Sequence, residues 1–474
     1  MATEAQQPRG DEPGSAGVGR GGEPADDPGL LSPAETALLI DLYELAMSQS
    51  YLERGMNGPA VFELFVRQLP PTRNWLLVAG LGPALRLVRE MRFADAELDY
   101  LERIGFRPAL LRFLEGFRFS GEIAAMPEGT VAFAGEPLLR VTAPRVEAQL
   151  LETLLLNQIN FQTAIASKAA RIVLAAGGGD PDSGRCVFDF SPRRDHGVDA
   201  AMKVARAAAI AGAVGTSNVA AAMRYGLVPV GTMAHSYVLS FADERAAFRA
   251  FLEDMPHNTI LLVDTYDTIE GVRNAIAAAD DTGVALMGIR LDSGDLLSLS
   301  RAARRLLDEA GRQDAVIVAS GDLEERQIAR LVAAGAPIDR WGVGTELGTS
   351  RDAPALGGVY KLVADVAPSQ GGWRPVWKRS PGKETIPGPK QVYRSYAEGT
   401  MSGDVIAEVS ERQPGRPLLE SFVEGGGLVR REPLAVLSAR ARDELRSLPE
   451  RLRRIATGPV EPYPVSHSPR LRGG

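Results

Sequence analysis

The chain has 474 residues, 45% of them hydrophobic, enough to bury a large core and more than one typical domain needs. A formal net charge of -7 excludes a global basic field for nucleic acid or an anionic membrane, and Cys186, the sole cysteine, excludes an intramolecular disulfide or a multi-cysteine metal site. No basic n-region or apolar h-region opens the chain, and the most apolar stretch, 200–223, is broken by Lys203 and Arg206, so a soluble, cytoplasmic protein without a membrane span is expected.

Residues 1–30 are rich in Gly, Pro and acids with hardly an apolar anchor and predict a disordered tail. Ser32, Pro33 and Glu35 fit the N-cap, N1 and N3 positions of a helix, which the spacing of Leu38, Leu39, Leu42, Tyr43 and Leu45 continues. Helices are predicted near 83–91, 94–104 and 108–114, a hairpin over 130–141, and a long helical region over 145–176 leading to a Gly-rich loop at 177–182. From Val187 to Thr345 the pattern changes: short apolar runs end on charged or small polar residues, then enter amphipathic stretches such as 295–310 and 324–334. The run ends lead into Arg193, into Gly231 to His235, into Asp264, into Arg290 to Asp295, into Ser320, Gly321 and Asp322, and into Gly344 and Thr345. Such alternation implies parallel strands with crossovers, and in a (β/α) barrel their carboxyl ends share one face, so these scattered residues converge on one pocket. An open doubly wound sheet is the competing fold. Strands at 359–366 and 373–378, a helical region at 438–455 interrupted at Pro449, and a frayed Pro- and Arg-rich tail complete the chain.

Four histidines occur, of which His235 ends a predicted strand among small residues, whereas His257 lies in a connection and His467 in the tail. Asp264 ends the next strand, and neighbouring barrel strands run ~5 Å apart, so its carboxylate is in reach of one imidazole nitrogen and would fix the tautomer of the other. A buried His–Asp tie between strands is the structural alternative. Asp292, Ser293, Gly294 and Asp295 set two acids at a strand-to-helix turn, and Asp295 is open to two readings, a magnesium ligand or the N-cap of the next helix. The Gly342-Val343-Gly344-Thr345 turn offers backbone N–H groups to a phosphate, and Arg193, Arg194, Arg290, Arg351, Lys378, Lys383 and Lys390 supply cations for a phosphate-rich ligand. There is no Walker-type loop and no dinucleotide-binding Gly-x-Gly-x-x-Gly after the first strand. The residues by themselves describe a phosphate-handling α/β enzyme.

Six segments in order, Gly215-Thr216-Ser217-Asn218-Val219, Gly231-Thr232-Met233-Ala234-His235-Ser236, Asp264-Thr265-Tyr266-Asp267, Arg290 to Asp295, Gly342 to Thr345 and Lys390-Gln391-Val392, resemble the nicotinate phosphoribosyltransferase family. With Asp41-Leu42-Tyr43 the resemblance spans roughly 35–440. It implies a type II phosphoribosyltransferase with an irregular (β/α) barrel of mostly parallel strands and a mixed α+β domain built from both ends of the chain. The implied layout is a tail at 1–30, an N-terminal domain at 31–175, the barrel at 176–358, returning strands and helices at 359–455 and a tail at 456–474.

The implied reaction joins nicotinate to phosphoribosyl pyrophosphate, giving nicotinate mononucleotide and pyrophosphate for NAD biosynthesis. It is ligase-type, with ATP as co-substrate and Mg²⁺ as cofactor, in a homodimer with shared active sites. On this resemblance His235 is the phosphorylated histidine, Asp264 orients it, and Phe190 and Arg193 meet the pyridine ring and its substituent, with Tyr43 arriving from the other subunit. Asp292, Gly321 and Asp322 are ribose contacts, Gly344 and Thr345 the phosphate loop, and Arg351, Lys383 and Lys390 phosphate contacts; the turn itself, apart from the resemblance, offers Asp292 and Asp295 as magnesium ligands. Ser217 stands where nicotinamide-using relatives carry an aspartate, which favours an acid over an amide. Ser191 and Pro192 depart from the more usual Phe-Gly-x-Arg-Arg, and Asp195 and His196 follow them. A nicotinamide phosphoribosyltransferase, a quinolinate-using barrel and a non-catalytic nucleotide-binding relative are the alternatives.

Overall fold

The computed structural model describes residues 35–177, 184–366, 372–378, 385–455 and 460–472. The expected tail at 1–30, the Ser32 cap and nearly all of the Gly-rich loop at 177–182 therefore lie outside the described residues.

The N-terminal part begins with β1 (Pro59–Val66), β2 (Leu76–Leu77), β3 (Glu122–Ala125), β4 (Val131–Ala132) and β5 (Pro137–Pro144). The helix expected from Ser32 onward breaks in two: a 3-10 turn, Glu35–Leu38, then the helix Leu42–Glu53. Asp41 stays extended between them because its N–H donates to Thr153 Oγ1 at 3.2 Å and its carboxylate accepts from that hydroxyl at 3.0 Å. The hairpin expected over 130–141 is also absent. β4 pairs with β2, whereas β5 lies between β1 and β3, whose longer edges satisfy its ladder on both sides. Buried Glu136 holds the bend between them by accepting the Phe133 N–H at 2.8 Å.

The barrel strands are β6 (Cys186–Asp189), β7 (Gly215–Thr216), β8 (Val228–Pro229), β9 (Ile260–Leu262), β10 (Gly288–Leu291), β11 (Val316–Ala319) and β12 (Arg340–Val343). All six pairings are parallel, and their order, β8-β7-β6-β12-β11-β10-β9, is the chain order taken round a circle. The sheet is thus a barrel opened along one seam, between β8 and β9. A side-chain bond, Asn258 Nδ2 to Gly231 O at 2.8 Å, crosses that seam in place of a ladder.

The helix Glu152–Ala175 joins the two parts. Leu154, Leu155 and Ile159 sit in the core of the antiparallel sheet, while Ile165, Ala169 and Ile172 sit in the core beneath the barrel helices. Its buried Lys168 reaches Glu325 at 2.6 Å and Glu346 and Asp352 at 3.2 Å, clamping the turn that follows β12.

The chain then returns through β13 (Gly358–Val366), β14 (Trp373–Pro375), β15 (Lys390–Ala397), β16 (Thr400–Glu408), β17 (Arg416–Pro417), β18 (Glu420–Glu424), β19 (Gly427–Leu428) and β20 (Val465–His467). β13 and β18 add to the edges of the N-terminal sheet, whose order is β14-β13-β1-β5-β3-β18-β19. The closing helix divides at Pro449 into Leu434–Ser447 and Glu450–Arg453, where proline removes a donor. The frayed tail is corrected. β20 pairs in parallel with β16, and Tyr463 is buried, stacked on Phe133 at 3.8 Å with its hydroxyl donating to Asp404 Oδ1 at 2.8 Å. No described helix is long and apolar enough to cross a membrane.

Candidate active site

The carboxyl ends of β6 to β10 surround a cavity of about 400 Å³. β6 contributes Phe190, Pro192 and Arg193, β7 contributes Ser217, the segment after β8 contributes Gly231 to His235, and β10 contributes Arg290 and Asp292. Of the residues expected at the site, Phe190, Arg193, Ser217, His235, Arg290 and Asp292 are brought together here.

Arg290 is the charge centre of this group. Its Nη2 donates to Asp292 Oδ1 at 2.6 Å, its Nε to Ser320 Oγ at 2.7 Å, and its guanidinium lies 5.5 Å from the Phe190 ring centroid. Ser320 donates in turn to Asp292 Oδ1 at 2.5 Å. Burial works to raise the Asp292 pKa, but the Ser320 hydroxyl and the Arg290 guanidinium outweigh it and hold the carboxyl below its usual range. Two glycines make the approach possible. A Cβ on Gly321, where φ is +88°, would stand 2.0 Å from the Asp292 carbonyl oxygen, and one on Gly342 would stand 2.5 Å from the Phe190 ring. Gly321 thus acts through close packing, and neighbouring Asp322 is itself held at φ +43°, a conformation rarely adopted outside glycine.

His235 starts a short helix, and its Nδ1 lies 3.1 Å from Thr265 Oγ1. The expected orientation by Asp264 is corrected. Asp264 Oδ2 instead accepts the Asp292 N–H at 3.0 Å and the Ser293 hydroxyl at 2.6 Å, fastening the β10 turn, while its Oδ1 is buried without a partner. Asp295 is the N-cap of the helix Leu296–Glu309, accepting from Leu297 N and from the Ser298 hydroxyl. Of its two readings the geometry shows the N-cap, in which both carboxylate oxygens are engaged. Among the described residues no group of three or more His, Cys, Asp or Glu could hold a metal ion.

Behind Phe190 lies an acid pair, Asp189 buried and Asp195 partly so. Asp189 accepts the Ser191 N–H at 2.9 Å, the Ser191 hydroxyl at 2.6 Å and the Thr216 hydroxyl at 2.8 Å, and Ser191 Oγ is also 3.0 Å from Asp195 Oδ2. One hydroxyl proton cannot serve two carboxylates, so the bridge requires a proton on one of the two acids, and burial raises the pKa of both. Burial, and then the Asp189 charge, push the Asp195 pKa up to about 6. The serine that departs from the family pattern therefore pins the Phe190–Arg193 loop.

The remaining expected residues lie apart. Gly344 and Thr345 follow β12, where Gly344 packs under the Phe190 carbonyl and Thr345 opens a short helix. Arg351 is exposed and pairs with Glu346 at 3.3 Å. Lys390 is corrected as a phosphate contact of its own chain. It is buried, and its ammonium is used by Ile386 O, Gly388 O and Glu63 at 2.8, 2.7 and 2.8 Å. Lys383 lies outside the described residues. Tyr43 is half-exposed at 47% and lines a separate cavity of about 370 Å³ with Glu152, Asn160 and Pro354. Thr265, Ser320, Asp189 and Thr216 were given no role from sequence, although Ser320 ends an apolar run as the others do, and Ser191 stood out only as a departure from the family pattern. Cys186 is half-buried, and burial raises its thiol pKa, in keeping with an unreactive role.

Residues 38–160 match the family model for the nicotinate phosphoribosyltransferase N-terminal domain, and residues 186–347 match that for the nicotinate phosphoribosyltransferase family. The chain is 47% identical over 442 residues to nicotinate phosphoribosyltransferase pncB2 of Mycobacterium tuberculosis, covering 92% of each. It is 43% identical over 393 residues to nicotinate phosphoribosyltransferase of Bacillus subtilis, covering 81% of this chain and 79% of the other. Among solved structures, human nicotinic acid phosphoribosyltransferase superposes with a TM-score of 0.77 at 27% identity, covering 92% of this chain and 98% of the other. Nicotinate-nucleotide pyrophosphorylase from Pyrococcus furiosus shares the fold, with a TM-score of 0.71 at 24% identity over 87% of this chain and 95% of the other.

Proposed function

The chain belongs to the nicotinate phosphoribosyltransferase family, and from that membership we propose that it joins nicotinate to phosphoribosyl pyrophosphate, releasing nicotinate mononucleotide and pyrophosphate, in the salvage of NAD. The observation that carries this reading is the meeting of Phe190, Arg193, Ser217, His235, Arg290 and Asp292 around one cavity. Phe190 offers an aromatic face to the pyridine ring, and Arg193 and Ser217 offer a cation and a hydroxyl to its carboxylate, where an aspartate would repel it. Loss of pyrophosphate builds positive charge on the ribose carbon, and Asp292, kept ionised by the Ser320 hydroxyl and Arg290, stabilises it.

ATP coupling enters through His235. With Nδ1 turned to Thr265, Nε2 is the ring nitrogen left to take the γ-phosphoryl group of ATP, forming a P–N bond as ADP leaves. Hydrolysis of that bond later returns the free imidazole and phosphate. Magnesium fits as an ion that arrives with substrate phosphates. Asp292 Oδ2 and the unpartnered Asp264 Oδ1 would supply one or two carboxylate oxygens, and the ion would offset charge on the leaving pyrophosphate. We place Tyr43 over the base of a partner subunit's site in a homodimer.

The test is mononucleotide formation from nicotinate and from nicotinamide, each with and without ATP. Acid-selective, ATP-stimulated product is expected, with phosphate on His235 Nε2. Preference for nicotinamide would overturn the role of Ser217, and unchanged ATP stimulation in His235→Ala would remove the phosphohistidine.

A further inference from the structure

Where the helix Leu81–Glu90 meets the strands β18 and β19 and the barrel residue Arg206, a second cavity of about 470 Å³ opens, sharing no lining residue with the first. Its floor is apolar, formed by Leu81, Leu85, Phe422, Leu428 and Leu437. Its walls carry five arginines, Arg86, Arg89, Arg206, Arg430 and Arg431, against three glutamates, Glu90, Glu128 and Glu432.

Those glutamates are already engaged. Glu128 is held by both Nη atoms of Arg206 at 2.7 Å and by the Gly80 and Gly82 N–H groups. Glu432 takes Arg430 at 2.9 Å and also Arg440, and Glu90 takes Arg86 at 3.1 Å. Arg89 has a single longer contact, 3.5 Å to Glu90, and Arg431 has no ion pair or hydrogen bond among the described residues. Acceptors are used up while guanidinium donors remain, over an apolar floor and in a volume suited to a small organic molecule.

We propose that this cavity is a second ligand site for a small organic phosphate with an apolar or aromatic body, the phosphate meeting Arg431 and Arg89 and the body lying on Leu85, Phe422 and Leu428. Two weakly engaged cations match the charge of a phosphomonoester, and a planar fork suits its oxygens. The site stands independently of the reaction proposed above.

The experiment is calorimetric titration of the full-length chain with phenyl phosphate and, separately, with inorganic phosphate. One saturable event is expected that persists in Arg193→Ala, which removes a cation from the barrel cavity, and weakens roughly tenfold or more in Arg431→Glu and in Arg89→Ala. Both arginines are exposed, so these variants retain the fold, and circular dichroism checks it. Absence of a saturable event overturns the proposal, as does an event lost in Arg193→Ala and unchanged in Arg431→Glu. Inorganic phosphate binding as tightly as phenyl phosphate would overturn the role of the apolar floor.

Discussion

Removing Arg290 tests the charge centre of the site most directly. Its side chain is 14% exposed, so its contacts count nearly in full. The charge-assisted bond to Asp292 is worth about 1.5–3 kcal/mol, and the carboxylate, 29% exposed, argues for about 2. The guanidinium over Phe190 adds about 1 kcal/mol. Arg290→Ala should therefore lower kcat/KM for mononucleotide formation by about 3 kcal/mol, roughly 100-fold. Arg290→Lys keeps a point charge near Asp292 but loses the Ser320 bond and the planar stack, for a loss of roughly tenfold. Asp292→Asn should stay costly once Arg290 is gone, because its carboxylate acts directly, but by about 1–2 kcal/mol less than in wild type, the coupling read in a double-mutant cycle. Steady-state kinetics on the four proteins, with Tm measured alongside, is the assay. Strictly additive losses, or an Arg290→Ala effect under about threefold, would refute the reasoning.

Gly342→Ala brings a methyl 2.5 Å from the Phe190 ring, so the ring must shift and KM for the pyridine base should rise about fivefold while Tm stays near wild type; an unchanged KM would show that Phe190 does not carry the base. Asp195 has its pKa raised to about 6 from an unfolded value near ~3.9, so the folded state binds the extra proton and stability falls as pH rises between these values. Ordering of the Phe190–Arg193 loop should weaken over the same window, visible as a KM that climbs through about pH 6. Asp195→Asn, whose amide donates to Ser191 at every pH, should flatten that profile, and an identical profile in the variant would be fatal to the idea. Lys168→Met leaves Glu325, Glu346 and Asp352 with only Arg171, Arg351 and Arg73 as cations, and should cost about 2 kcal/mol, the loss of one shared charged partner, read as a Tm drop of a few degrees. A variant as stable as wild type would show that the clamp contributes nothing.

The barrel was legible because parallel strands buried on both faces read as short apolar runs, and their polar ends then share one rim. Side-chain aim was less legible. Asp264 and Thr265 are adjacent in sequence, and only the backbone course after β9 decides that the hydroxyl, not the carboxylate, meets His235. Lys390 looked like a free cation because its partner, Glu63, lies 327 residues away on β1. The tail followed the same logic: a composition rich in Pro and Arg predicts fraying, yet one aromatic, Tyr463, finds a stacking partner and an acceptor that no local pattern records. Ser191 could be seen as a departure from the family, but its bridging of two acids needed the third dimension.

The single seam divides the site mechanically. β8 is two residues long, exposed, and bonded along one edge, and it carries the segment that ends in His235. Arg290 belongs to β10, laced to neighbours on both sides, and Asp292 follows that strand directly with its N–H held by Asp264. Amide exchange should therefore be fast at 228–231 and slow at 288–291, since sub-global opening begins where the fewest hydrogen bonds must break. On the reaction proposed above, the fixed charges would sit in a rigid arc and the histidine on a compliant lip, so that His235 could move without loosening Asp292.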